Sequence, residues 1–94
     1  MKDPKIGGVV AVIDDGIKDA AMYMDYAAKS KAAGDKESAA MFQAEAHKRI
    51  NGAKEWYDRY ADCMREHVED MCESYMERME HRLSEVMAKI TQFK

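Results

Sequence analysis

One apolar stripe constrains the fold of this chain more than any other feature. Ala39, Phe42, Ala46, Ile50, Ala53, Tyr57, Ala61, Met64, Val68, Met71, Tyr75, Met79, Leu83, Val86, Ile90 and Phe93 follow one another every three or four residues. The mean step is about 3.6 residues, the repeat of an α-helix. The stretch has no Pro, and its only breaker pair is Asn51 with Gly52. A turn at Asn51 has no reason to keep the stripe in phase. The spacing therefore predicts one helix over about 36–92, roughly 85 Å long at 1.5 Å per residue. A break at Asn51 or near Asp62 is the alternative; a compact three-helix bundle of near-equal helices would need the latter, although DCMREH, residues 62–67, contains no turn residue of the usual kind.

Upstream, Ile6, Val10, Ile13, Ile17, Ala21, Met24 and Ala28 form a second stripe. Asp3 can cap the free amides of a helix whose first position is Pro4, where no N–H is needed. Gly34 supplies a left-handed stop and Asp35 a cap for the next helix. A first helix over about 4–33 follows, weakened by Gly7, Gly8 and Gly16 at roughly 1 kcal/mol each against Ala. The expected fold is all-α, a single domain over 1–94 in which a short helix and a very long one make a hairpin.

The unequal lengths imply a partner. Helix 1 covers only half of the long helix, so the stripe beyond Val68 would stand in water, and an apolar patch of that size marks an interface. Two long helices pairing antiparallel about a two-fold axis near Met64 would bury it by an isologous contact. The expected interface is Met64, Val68, Met71, Tyr75, Met79, Leu83, Val86 and Ile90, and the expected state is a homo-oligomer, dimer or tetramer, with room for a further protein partner. The 3.6-residue spacing calls for straighter helices than a heptad coiled coil, which repeats every 3.5.

Composition narrows the function classes. At 47% hydrophobic and 35% charged residues the chain is too apolar for a disordered segment. Its 15 Lys and Arg are interleaved with 18 Asp and Glu, with no basic run, so nucleic acid is not an expected partner. GGVVAVI is too short, and too soon followed by Asp14 and Asp15, for a membrane span or signal core. A cytoplasmic protein is expected. Cys63 and Cys72, nine residues apart, would lie about 13 Å apart along one helix, beyond the reach of a disulfide, and are expected to be free thiols.

Residues 22–53, MYMDYAAKSKAAGDKESAAMFQAEAHKRINGA, resemble the first helix-turn-helix of rubrerythrin-like members of the ferritin-like superfamily. The shared features are a Tyr, then YAAKSKAAGD as helix end and turn, then AAMF opening the second helix. The resemblance implies the hairpin and a tendency to pair hairpins into four-helix assemblies. It also implies where iron ligands would fall: a Glu near Gly16, and a Glu-x-x-His near Arg49 and Gly52. Neither set is present. Glu45 and His47 are two residues apart, about 200° around a helix, and cannot grip one metal from a single face. Oxidase and iron-storage chemistry are therefore not expected.

Three further groupings have a chemical reading. Cys63 and His67 are four apart on one side of a helix, with Asp70 three further on, a half-site for zinc or copper that a symmetry mate could complete. Solvated flanks have the same composition. Glu73, Glu77 and His81 repeat at four-residue spacing on the polar side, a pattern that could chelate a metal weakly and that solvated charged helix faces also have. His47 and the group Trp56, Tyr57 and Tyr60 read as helix packing, and the nine Met as seam-filling side chains. No Ser or Cys nucleophile has a recognisable base, and no Gly-rich phosphate loop follows a strand. The sequence thus points to a self-associating helical protein with a structural or interaction role, with no catalysis and no cofactor. The alternative is a metal-binding ferritin-like protein with an inter-chain site at Cys63, His67 and Asp70.

Overall fold

In the computed structural model the backbone is described for residues 6–67 and 73–93, and the side chains for 8–62 and 76–93. These residues form three helices: α1 (Ile6–Ala32), α2 (Lys36–His67) and α3 (Glu73–Gln92). Together they make a bundle of 53 × 21 × 16 Å. The all-α class is as expected, and the three-helix alternative describes it. The Asp3–Pro4 start lies outside the described residues.

The turn between α1 and α2 is written locally. Gly34 has φ 83°, and its N–H donates to the Lys31 carbonyl, while that of Asp35 donates to the Ser30 carbonyl. This pair of bonds is a Schellman stop, and it needs a residue without Cβ at the left-handed position. Asp35 then accepts a hydrogen bond from the Ser38 amide at 3.0 Å on its side chain, capping α2. That bond holds the Asp35 carboxyl below its ordinary pKa.

The helix expected over 36–92 is two helices, and this is the main correction to the sequence reading. α2 passes through Asn51 and Gly52 without interruption and ends at His67; α3 begins at Glu73 and runs back along the α1–α2 pair. The reason is burial. Met76, Met79, Leu83, Val86 and Ile90 are 1–7% exposed in the chain's own core, beside Ile13, Ile17, Ile50 and Tyr57. Each such side chain taken out of water contributes about 1.5–3 kcal/mol, an upper figure before chain entropy. Folding back gains this without a second chain. Constancy of phase was a poor argument against a turn, because each helix turns its own stripe to the core whatever joins them.

No polar or charged side chain is buried among the described residues. The Gln43 side chain donates to the carbonyls of Ile90 (2.8 Å) and Phe93 (3.2 Å), satisfying the open end of α3. The Tyr57 hydroxyl donates to the Met76 carbonyl at 3.5 Å. Asp14 on α1 pairs with Arg82 on α3 at 2.8 Å and with Lys18 at 2.9 Å, its side chain 27% exposed.

The hydrogen bond from Lys18 and then that from Arg82 hold the Asp14 carboxyl below its ordinary value of 3.8. A depressed carboxylate stabilises the fold above its unfolded-state value, and the contribution disappears as pH falls through the folded-state value. Asp14→Asn is therefore expected to cost about 1 kcal/mol near neutral pH and nothing once wild-type Asp14 is itself protonated. Urea midpoints of both proteins at neutral and strongly acid pH measure this; equal differences at the two pH values would exclude the latch.

Candidate functional site

The α1–α2 hairpin has an aromatic face near its turn. Tyr23 and Tyr26 sit on successive turns of α1, and Phe42 opens α2 opposite them. The Tyr23 and Phe42 rings stack at 6.2 Å between centroids, and Tyr26 meets Phe42 at 5.4 Å and Tyr23 edge-on at 6.2 Å. Beside them the Arg49 guanidinium lies 5.6 Å from the centre of the Tyr23 ring. Arg49 is held there by Glu45 at 3.0 Å and Asp19 at 3.4 Å. The three charged residues are exposed or half-buried, so they aim the guanidinium more than they strengthen the fold.

Large apolar side chains close to these rings in sequence are exposed to water. Tyr26 is 40% exposed, Met22 one turn before it 38%, and Met41, next to Phe42, 66%. Rigid aromatic rings, adaptable thioethers and an oriented guanidinium are the side chains that dominate protein interfaces. Further along the hairpin, Trp56 and Tyr60 pack at 5.4 Å, half-buried against the core, while Tyr57 is buried within it.

The residues singled out from sequence fall in different places. Cys63, His67 and Asp70 lie outside the described side chains, as do Met64, Val68, Met71 and Tyr75 of the expected interface. The other four interface residues, Met79, Leu83, Val86 and Ile90, are buried in this chain's own core. His81 is exposed and faces Glu85 at 3.5 Å. His47 is exposed too, not packed between helices; with Gln43, Ile90 and Thr91 it lines an open groove between α2 and α3. Among the described residues no three His, Cys, Asp or Glu side chains come together as metal ligands would.

At the end of the bundle nearest the turn, Lys31, Lys36, Ala39, Ala40, Gln43 and Phe93 line an open groove of about 500 Å³. The Lys31 ammonium stands 5.3 Å from the centre of the Phe93 ring there.

Where the ferritin-like resemblance would place a first metal ligand, the chain has a tight helix crossing instead. A Cβ built on Gly16 would stand 2.9 Å from the Ala53 Cβ and 3.4 Å from the Arg49 carbonyl oxygen. A Glu at that position would push α1 and α2 apart.

The aromatic face was missed in the sequence, although the signal was available. With the turn at Gly34, antiparallel neighbours have residue numbers adding to about 68, which pairs Tyr26 with Phe42 and Asp19 with Arg49. Among the described residues no helix is long and apolar enough to cross a membrane. No protein-family model, curated protein or solved structure matches the chain.

Proposed function

We propose that this is a self-associating helical protein with a structural or protein-interaction role and no catalytic one. The observation that carries the reading is the exposure to water of Met22, Tyr26 and Met41 on the hairpin that bears the Tyr23–Phe42 stack. Their burial would contribute to association what core side chains contribute to folding. The resemblance to rubrerythrin-like hairpins, which pair into four-helix assemblies, points the same way.

Light scattering coupled to size exclusion tests it. The wild-type protein is expected to elute as a dimer or tetramer, and Tyr26→Lys with Met41→Lys to lower the assembled mass without loss of helical circular dichroism. A wild-type protein still monomeric at about 1 mM, where even a 4 kcal/mol contact is substantially formed, would overturn the reading.

A further inference from the structure

We propose that the groove between α2 and α3 binds a fatty-acid carboxylate, with the head between Lys31 and Lys36 and the aliphatic chain laid along α2 towards His47. The site is separate from the aromatic face of the hairpin, and the inference does not depend on self-association.

The first observation is shape. The stretch of groove nearest the turn has a volume of about 500 Å³, and the stretch beside His47 about 370 Å³. Each is within the range of small-molecule sites, and the two meet at Ala40 and Gln43, which line both. From Lys36 to His47 along α2 is about 16 Å at 1.5 Å per residue. The groove is therefore longer than it is wide, which suits an extended chain better than a ring system.

The second is the lining. Lys36, Ala39, Ala40 and Gln43 recur at three- and four-residue spacing, so one face of α2 forms a wall. Ala40 and Ala44, one turn apart, leave room that longer side chains would fill. On the α3 side the Phe93 ring is half-buried, and the carbonyls of Ile90 and Phe93 are already engaged by the Gln43 amide. An aliphatic chain laid there covers mainly methyl groups and a ring face, and leaves neither of those carbonyls without a donor.

The third is charge. Lys31 and Lys36 line the same end of the groove, and the ion pairs among the described residues all lie elsewhere. Lys31 rests its ammonium on the Phe93 ring, and Lys36 is the first residue of α2, where the helix dipole disfavours a cation. Glu37, the acid of that first turn, points about 100° away around the helix, and no Asp or Glu is among the described lining residues. A carboxylate between the two ammoniums supplies the anion that the chain does not, and the apolar groove beyond them takes its tail. Because the groove is open and both lysines are exposed, the affinity is modest, with a Kd of about 0.1 mM.

The test is an amide NMR titration of the full chain with sodium decanoate, beside acetate, which lacks the chain, and decyltrimethylammonium, which has the same chain and a cationic head. Decanoate is expected to give saturable shifts centred on 31–47 and 90–93, and the other two at least tenfold weaker binding. Lys31→Gln with Lys36→Gln is expected to weaken decanoate about tenfold, as two exposed charge contacts would. Ala40→Leu, which fills the point where the two stretches meet, is expected to weaken it as much with both lysines in place. Circular dichroism checks that the variants stay helical; the three ligands on the wild-type protein need no variant.

No saturable shift with decanoate at about 1 mM would overturn the proposal. So would shifts centred on Tyr23, Tyr26 and Phe42 in place of the groove, equal binding of decyltrimethylammonium, or undiminished binding by the folded double-lysine variant.

Discussion

Gly16→Leu is expected to be among the most damaging single substitutions in this protein, costing on the order of 3 kcal/mol, the upper range for overpacking a tight contact. A domain of this size has about 5–15 kcal/mol in total, so a large share would be lost. The cause is the crossing of α1 and α2. A single added carbon at Gly16 would already stand 2.9 Å from the Ala53 Cβ, and the next obstacle is the backbone oxygen of Arg49. Neither atom is the end of a flexible side chain, so the helices themselves must separate.

Smaller substitutions at the same crossing isolate the effect. Gly16→Ala gains about 1 kcal/mol of helix propensity and loses about 1–3 to the clash, for a net loss. Adding Ala53→Gly moves the missing methyl to the other helix, and the double variant is expected to recover most of the stability. Thermal or urea unfolding of the single and double variants gives the coupling directly. Purely additive effects would mean that the two residues do not meet.

Met79→Lys is expected to have an effect at least as large, for a different reason. Met79 is 2% exposed and lies in the middle of the α3 face that enters the core. Truncating such a side chain to Ala costs about 2–5 kcal/mol, and an ammonium without a partner adds the desolvation of a charge. Released α3 and a greatly lowered urea midpoint are the expected outcome. Met79→Leu, which conserves volume, is expected to cost less than about 1.5 kcal/mol. The loss with Lys should persist in dilute protein, because the α1–α2 groove of the same chain already buries Met79. Wild-type stability for Met79→Lys at low concentration would show that the stripe is covered only by another chain.

Much of the architecture was legible in residues alone. Gly34 and Asp35 marked the end of one helix and the start of the next, and the structure puts a left-handed Gly and a capped first turn there. The stripe of α1 was right at Ile13, Ile17 and Met24, which are buried, but the flanking burial falls on Val9, Ala20 and Ala27, with Val10 and Ala21 half-buried and Ala28 exposed, because three-and-four spacing fixes the side of a helix only to within a residue or so. The apolar character of Met79, Leu83, Val86 and Ile90, and the need to cover them, were equally plain. Their cover was not, because periodicity reports which side of a helix avoids water and carries no information about the chain that shields it.

What the sequence determined by itself is local: three or four residues per step, a stop that only a residue without Cβ accommodates, and caps whose partners lie three positions away. The tertiary structure alone decided the return of α3 after His67, the Gly16–Ala53 crossing and the grouping of Tyr23, Tyr26 and Phe42. Each depends on contacts between residues distant in sequence. Such contacts form because together they bury more apolar surface than the extended arrangement could, and no single segment encodes that comparison.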